Sequence, residues 1–428
     1  MLSKNLYNIT LSILVFLGMT ILISEAQSSM YFSYKTKQFI SFGELVQQLH
    51  ELENSSEFVN LEVIGKSVEQ KDIHLVVISK PEQLSLTGER KKCITLFMAQ
   101  QHGNEPATTD ACINFIKHII DNAYNVLDSQ TILVMPMVNP DGAEIHQREN
   151  IDGVDINRDY MLLSSPEARA VQKVLNRWHP HVVIDHHEYQ GVGIPWLPIR
   201  IYDFDLTTMY PNNKNIEPVI KKASKKFIKN WISSAIRKAG YTAASYGVIT
   251  SLKIPVVANL TDPSKARNYM GLNNCITVLS ESNMQIARGI RIYLHELIMR
   301  TTIEYVQKNC YTIKNTVQRA KENAVIKGRN MEGLIFLGKK TIEPPWGYIV
   351  DFSSKNLIKN LKLHNISMEM LAQDMEIEGG YYISGSFIVK MAQPKRTLIS
   401  MLLDKNSPYR QLSEKDTVRI KMPLQNGF

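Results

Sequence analysis

The chain has 428 residues, of which 44% are hydrophobic and 21% are charged. This composition excludes an intrinsically disordered chain, and the length allows a large α/β domain together with a smaller one. The net charge of +8 is not concentrated in a basic run interleaved with aromatic residues, which favours a solvated basic surface over a nucleic-acid-binding one.

The first 26 residues are typical of an export signal. Lys4 precedes an apolar run from Ile9 to Ile23, and Ser24 and Ala26 place small side chains at the positions that a signal peptidase reads. The apolar run is short for a membrane-spanning helix, so an uncleaved anchor is the alternative interpretation. We therefore predict a signal peptide at 1–26 and an exported protein, periplasmic or secreted, whose mature part does not insert stably into a membrane.

After this segment, helical patterns and apolar strand-like runs alternate along the chain. In chain order they are a helix at 39–52, strands at 61–64, 74–78 and 94–99, a helix at 108–123, a strand at 131–138, a helix at 167–178, a strand at 181–184, a helix at 216–238, a strand at 275–279 and a helix at 286–307. Asn139 to Gly142 is a turn signal after one of the strands. The alternation predicts an α/β fold with a mostly parallel or mixed twisted sheet and helices on both faces.

The composition changes near residue 330. Glycine and aromatic residues become more frequent, as in Pro344–Gly347 and Gly379–Tyr382, and helices are predicted near 356–363 and 395–403. We therefore predict a catalytic domain at 27–330, followed by a small α+β accessory domain at 331–428.

Two predicted strand ends carry residue types that bind zinc. The strand at 94–99 runs into His102 and Glu105, and the strand at 181–184 runs into His186 and His187. A histidine and a carboxylate three residues apart can both reach one zinc ion, and either histidine of the second pair can complete a two-histidine, one-glutamate set. Such a set leaves the fourth position open, which is typical of catalytic zinc, and side chains at the carboxyl ends of neighbouring strands lie close together.

Charged residues elsewhere complete a possible site. Arg148 and Arg158 flank Asp155, and two arginines beside a metal would oppose its binding unless an anion lies between them. A substrate carboxylate and a developing oxyanion are such anions, although surface salt bridges are an alternative role for either arginine. Glu281 follows the strand at 275–279 and could act as a general base, or could simply end that strand.

In this order, the motifs resemble those of the zinc carboxypeptidase family, the carboxypeptidase A-like metallopeptidases, over about residues 39–310. The resemblance implies one zinc ion per chain, bound by His102, Glu105 and His187. It also implies that Asp155 is a hydrogen-bond partner of a zinc-binding histidine.

The same resemblance implies catalytic and substrate-binding roles. The general base falls on Glu281, and the arginine that polarises the scissile carbonyl falls on Arg148. Asn157 and Arg158 match the residues that hold the substrate's terminal carboxylate. Tyr269 is the candidate for the mobile tyrosine that covers the substrate, although it lies closer to the base than in the family.

The implied function is hydrolysis of C-terminal residues from peptides by zinc-activated water. The partner is then a peptide or peptide-like substrate with a free C-terminal carboxylate, and no nucleic acid. The alternatives are a zinc amidohydrolase of the same scaffold, which acts on acyl amino acids or cell-wall peptides, and a non-catalytic zinc-binding protein. Residues 267–272 and 391–409 further resemble a bacterial branch of the family, and the specificity pocket is expected within 195–275.

Overall fold

The computed structural model describes residues 39–81, 90–190, 192–193, 200–249, 254–255, 260–336, 340–377, 380–409 and 417–421. The predicted signal peptide, 1–26, lies outside the described residues. Up to residue 283 the strands are β1 (Val59–Lys66), β2 (Asp72–Ile78), β3 (Cys93–Met98), β4 (Gln130–Met135), β5 (Val182–Tyr189), β6 (Val192–Gly193), β7 (Arg200–Tyr202), β8 (Leu206–Met209), β9 (Ala243–Ser245), β10 (Val248–Ile249), β11 (Ile254–Pro255) and β12 (Ile276–Asn283).

Eight of these strands form one mixed sheet in the order β1-β2-β4-β3-β5-β12-β8-β9. The four central strands, β4, β3, β5 and β12, are parallel to their neighbours within this group, while β1, β2 and β8 add antiparallel pairs. Every residue of the four central strands is buried, so both faces of the sheet are covered. Apolar runs such as Val182–Ile184 are what a strand buried on both faces requires. The predicted fold class is confirmed.

The helices of this part are α1 (Phe42–Ser55), α2 (Ala107–His118, continued by π-helix at Ile119–Ala123 and a 3-10 turn at Tyr124–Asp128), α3 (Pro140–Glu144), a 3-10 turn at Ile156–Arg158, α4 (Pro166–Trp178), α5 (Pro218–Phe227, continued by π-helix at Ile228–Ile232), α6 (Ser233–Lys238), α7 (Ala266–Leu272) and α8 (Arg288–Arg329). The turn predicted at 139–142 is instead the start of α3, because Asn139 caps the helix and Pro140 fits its first turn. Helix α8 runs to Arg329, well beyond its predicted end at 307. Among the described helices, none is both long and apolar enough to cross a membrane.

The helices hold the sheet in a fixed position. Helices α2 and α8 pack against each other, α8 also packs over β3 and β12, and α4 packs against β1. Helices α2 and α4 begin close to the carboxyl end of the sheet, where the loops after β3, β4 and β5 meet. The chemistry predicted from the sequence is concentrated in those loops.

The part after α8 contains β13 (Leu334–Phe336), β14 (Lys340–Ile342), β15 (Gly347–Val350), α9 (Lys355–Leu363), β16 (Glu369–Met370), β17 (Met375–Ile377), β18 (Gly380–Tyr382), β19 (Phe387–Lys390), α10 (Arg396–Leu403) and β20 (Thr417–Ile420). A separate four-stranded sheet has the order β16-β19-β15-β20. Its buried residue Tyr348, and Leu361 and Leu398 of the two helices, belong to the same continuous core as the large sheet. Division of the chain into two domains near residue 330 remains a prediction.

Candidate active site

Three predicted metal ligands converge at the carboxyl end of the sheet. His102 and Glu105 lie on the loop between β3 and α2, and His187 lies in β5. His102 Nδ1 is 2.7 Å from Glu105 Oε1, His187 Nδ1 is 2.7 Å from Glu105 Oε2, and the two Nδ1 atoms are 3.0 Å apart. All three side chains are buried. Two imidazole nitrogens and a carboxylate that converge in this way have the donor set of a zinc site, so the residues fit one zinc ion.

The structure distinguishes between the two neighbouring histidines. Successive side chains of a strand point to opposite faces, so only one of the pair can face His102 and Glu105. His186 faces the other side, where its Nδ1 is 2.9 Å from His295 Nδ1 and 2.9 Å from Ser280 Oγ. Burial lowers the pKa of His186 well below its ordinary value, with a smaller contribution from His295. His186 is therefore a neutral core histidine, and His187 faces the metal ligands.

The loop that carries His102 and Glu105 depends on a glycine. A Cβ atom added to Gly103 would lie 2.0 Å from the backbone carbonyl carbon of Gly142. The two backbones are in direct contact, and only glycine allows that approach. The Gln100 side chain fixes the same loop, since its Nε2 donates to the Gly103 carbonyl at 2.9 Å.

An aspartate lies behind each of the two histidines that are predicted to bind zinc. His102 Nε2 is 3.3 Å from Asp155 Oδ1, and His187 Nε2 is 3.0 Å from Asp185 Oδ1. Burial alone would lower the pKa of His187, but the charges of Asp185 and Glu105 outweigh it and raise this pKa well above its ordinary value. A carboxylate that accepts from Nε2–H fixes the tautomer that leaves Nδ1 available for a metal. Asp155 takes the predicted position, whereas Asp185 was not identified from the sequence, although a charged residue in a buried strand end is a signal that could have found it.

Arg148 lies over the metal ligands. Its Nε donates to Asp155 Oδ2 at 3.0 Å, and its Nη1 is 3.1 Å from His102 Nδ1 and 3.8 Å from Glu105 Oε1. The side chain is 37% exposed, so the guanidinium reaches the cleft while Asp155 holds its inner edge. A fixed cation beside the metal ligands is suited to stabilise an anion there.

Asn157 and Arg158 lie next to it on the same cleft wall. Asn157 Oδ1 accepts from Ala266 N–H at 2.8 Å, and Asn157 Nδ2 is 3.1 Å from His187 Nε2. Arg158 Nη1 donates to the Asn157 carbonyl at 2.8 Å and is otherwise half exposed, 4.0 Å from Asp155 Oδ2. Arg158 is therefore positioned to meet an anion that enters from solvent.

Glu281 reaches the site through the sheet register. It pairs with His187 across the parallel strands β12 and β5, and residues paired in this way point to the same face. The side chain lines the cleft, and no described residue forms a hydrogen bond with its carboxylate. Burial raises the pKa of Glu281 to about 8, and the charges of Glu105 and Asp185 act in the same direction. Such a group is suited to exchange protons near neutral pH.

Tyr269 is not part of this arrangement. Its side chain is fully buried and stacks on Tyr160, and its hydroxyl bonds Gln172 Oε1 and His364 Nδ1, each at 2.7 Å. Helix α7 directs this residue into the core. The substrate-covering role predicted for Tyr269 does not fit this buried position. The prediction used the distance in sequence from Glu281, which does not indicate the side of the helix to which a side chain points.

The cleft has a volume of about 380 Å³ and also includes Tyr246, Lys265 and Arg267. Sequence reasoning did not assign these residues to the site, although it noted a family-like stretch that starts at Arg267. The predicted site residues brought together are His102, Glu105, His187, Asp155, Arg148, Asn157, Arg158 and Glu281.

A model of the zinc carboxypeptidase family matches residues 45–255. Residues 45–255, just under half of the chain, therefore belong to that family. The matched range includes the three predicted metal ligands, whereas Glu281 lies beyond it. Glu281 is placed in the site by the pairing of β12 with β5.

Relatives in the zinc carboxypeptidase family match only parts of the chain. Probable carboxypeptidase 2 from Arthroderma benhamiae is 30% identical over 235 residues, which cover 51% of this chain and 44% of that protein. Zinc carboxypeptidase from Saccharothrix mutabilis subsp. capreolus is 29% identical over 111 residues, or 24% of this chain and 25% of that protein. A metallo-carboxypeptidase structure from Pseudomonas aeruginosa, in complex with (2-guanidinoethylmercapto)succinic acid, has a TM-score of 0.49 at 18% identity and covers 63% of this chain and 69% of that chain. The chain thus spans less than half of the first relative, and its assignment to a bacterial branch remains a prediction.

Proposed function

We propose that this protein is a zinc-dependent carboxypeptidase that removes C-terminal residues from peptides. The observation that carries the proposal is the convergence of His102, Glu105 and His187 at a cleft of about 380 Å³. A structural zinc site is closed by its protein ligands, whereas a catalytic site keeps a position open to substrate. A three-residue donor set that opens into a cleft is typical of the catalytic kind.

His102, Glu105 and His187 would hold the zinc ion. When bound, zinc polarises a carbonyl group and makes water more acidic. Asp155 and Asp185 orient the two imidazole rings from behind. Neutral imidazoles and a single carboxylate would leave a net positive charge at the metal, which this chemistry requires.

Glu281 is the proposed general base. In its deprotonated form it takes a proton from the attacking water, and in its protonated form it donates that proton to the leaving amine. No hydrogen bond from a described residue competes for its carboxylate. Its elevated pKa places both forms within reach near neutral pH.

The two arginines would bind negatively charged groups of the substrate. Arg148, beside His102, stabilises the negative charge that develops on the carbonyl oxygen. Arg158 offers a planar guanidinium that can bind a carboxylate through two parallel hydrogen bonds, and Asn157 lies beside it. Recognition of a free carboxylate would restrict cleavage to the end of the peptide.

Export is also part of the proposal. The apolar segment near the N-terminus has the length and flanking residues of a signal peptide, as described above. The substrates would then be peptides outside the cytoplasm, in the periplasm or the medium.

The test is product analysis of a peptide library by mass spectrometry, before and after treatment with a chelator. The expected products are peptides shortened by one C-terminal residue, and the chelator should abolish them. Arg158→Ala should reduce kcat/KM for free-carboxylate peptides by about 10- to 150-fold, the range for a hydrogen bond to a charged group. C-terminal amides cleaved as fast as acids by the wild type would refute a carboxypeptidase and favour the amidohydrolase.

A further inference from the structure

Arg267 is a buried cation in the wall of the cleft. Its side chain is 2% exposed, yet it lines the same cavity as Glu281 and Arg158. Its Nη2 donates to the Leu260 carbonyl at 2.5 Å and to Asn212 Oδ1 at 3.4 Å. Both acceptors are neutral, and the Nε–H has no hydrogen-bond partner among the described residues.

A buried guanidinium normally forms an ion pair, because isolated charges are costly to remove from water. No carboxylate of a described residue lies within 4 Å of Arg267. Of the acids in the cleft, Asp185 lies 3.0 Å from His187 Nε2 and Glu188 forms an ion pair with Arg291 at 2.6 Å. The charge of Glu281 favours the protonated form of Arg267, but its carboxylate lies more than 4 Å away. Among the described residues, Arg267 therefore has no counter-ion to offset its burial.

Other cations surround this position. Lys265 and Arg158 line the same cleft, and their charges act on Arg267. Burial lowers the pKa of Arg267 to about 10; the charge of Arg158 acts in the same direction, while Asp185 and Glu281 oppose it, and the group remains protonated at neutral pH. Burial likewise lowers the pKa of Lys265 to about 8, with contributions from Arg158 and Arg267. An anion among these groups would relieve their repulsion.

The location of Arg267 indicates which part of a substrate would supply that anion. Arg267 is the second residue of α7, and the preceding residue, Ala266, donates its N–H to Asn157 Oδ1 at 2.8 Å. This bond ties the start of α7 to the pair that would hold the terminal carboxylate, Asn157 and Arg158. A group that reached Arg267 from that point would be the side chain of the same terminal residue.

We propose that Arg267 forms the base of a subsite for a second carboxylate, so that the enzyme prefers peptides ending in glutamate or aspartate. This inference rests on the carboxypeptidase function proposed above. The substrate side-chain carboxylate accepts from the free edge of the guanidinium, while Leu260 and Asn212 hold the other edge. Arg158 binds the C-terminal carboxylate common to all substrates, and Arg267 selects among them.

The experiment compares three blocked dipeptides, benzyloxycarbonyl-Ala-Glu, -Ala-Gln and -Ala-Leu, with the zinc-loaded protein. Glutamate and glutamine have nearly the same shape, so their ratio isolates the charge. The expected kcat/KM for the glutamate peptide exceeds that for the glutamine peptide by about 10- to 150-fold. Equal rates for the two, or faster cleavage of the leucine peptide, would overturn the acidic subsite while leaving the carboxypeptidase function intact.

Variants identify the residue responsible. Arg267→Gln should abolish the glutamate preference and leave the rate for leucine within a few-fold, whereas Arg158→Ala should slow all three peptides alike. Arg267→Lys keeps the charge and should keep part of the preference, which covers the case in which Arg267→Gln does not fold. An unchanged glutamate-to-glutamine ratio in folded Arg267→Gln would refute the assignment.

A binding measurement separates the two proposals. Calorimetry of the same dipeptides on zinc-loaded Glu281→Gln reports affinity without turnover. If the wild type cleaves none of the three but the variant binds the glutamate peptide at least 10-fold more tightly than the glutamine peptide, the carboxypeptidase function fails and the acidic subsite stands. Equal affinities would refute the subsite as well.

Discussion

Replacing Glu281 by Gln tests both the mechanism and the electrostatics of the cleft. Gln is nearly isosteric, and no described residue would lose a hydrogen bond to the Glu281 carboxylate. A general base contributes about 10²- to 10⁴-fold to the rate, so kcat of the zinc-loaded variant should fall by at least two orders of magnitude. Zinc content should remain at one per chain, because Glu281 is not among the converging ligands.

The same change should stabilise the metal-free protein. The folded-state pKa of Glu281 is about 8, raised by burial and then by Glu105 and Asp185, against an unfolded value near 4.5. A carboxyl with a raised pKa stabilises the fold fully below pH 4.5, and this stability is lost as the pH rises towards 8. Gln does not titrate, so its advantage should grow by about 1.4 kcal/mol per pH unit and reach about 3 kcal/mol at pH 7.

The assay is urea unfolding of chelator-treated wild type and variant at pH 5 and pH 8, with kcat and zinc content measured on the same preparations. Zinc should reduce the stability difference, because a nearby cation favours the ionised carboxylate. Glu217→Gln is a matched control: this buried glutamate pairs with Lys327 at 2.9 Å, so its replacement should destabilise the fold. A Glu281→Gln variant with full zinc and more than about a tenth of wild-type kcat would refute the proposed base. A stability difference independent of pH would refute the electrostatic argument.

Three further outcomes are expected. His187→Ala should abolish zinc binding, whereas His186→Ala should still bind one zinc per chain by elemental analysis; the reverse result would overturn the ligand assignment. Asp185→Asn should weaken zinc binding by about 10- to 100-fold in competition titrations, and unchanged affinity would show that Asp185 does not orient His187. Burial lowers the pKa of His364 to about 3, so its contribution to stability is present above pH 6.5 and lost as the pH falls towards 3. His364→Gln should reduce the acid dependence of the unfolding free energy by about 1.4 kcal/mol per pH unit in that range, and an unchanged slope would contradict a neutral buried His364.

Local patterns predicted the large sheet and its helices well. Short apolar runs bounded by turn residues favour buried strands, and each of the central parallel strands was found within a few residues of its predicted position. The boundaries were less certain. Helix α8 continues past residue 307 because its later turns still bury residues such as Ile313 and Val317, which weak local periodicity does not reveal.

The site, like the fold, contains some features that local patterns predicted and others that they did not. His102 and Glu105 are close in sequence, so their spacing alone suggested a shared metal. In the sequence, only the family resemblance distinguishes His187 from His186, and the structure explains the difference by the face of β5 to which each side chain points. Asp185 was not predicted, because its contact with His187 Nε2 depends on the orientation of the imidazole ring, which the sequence does not show.

The types of chemical group and the strand ends that carry them were therefore predictable, since both depend on residues close along the chain. Which groups meet depends on how distant segments pack. Strand register places Glu281 beside His187, and the direction of α7 places Tyr269 in the core. The bond from Ala266 N–H to Asn157 Oδ1 holds the start of α7, and with it Arg267, at the cleft. These relations join residues separated by about a hundred positions, and local patterns carry no information about packing across that distance.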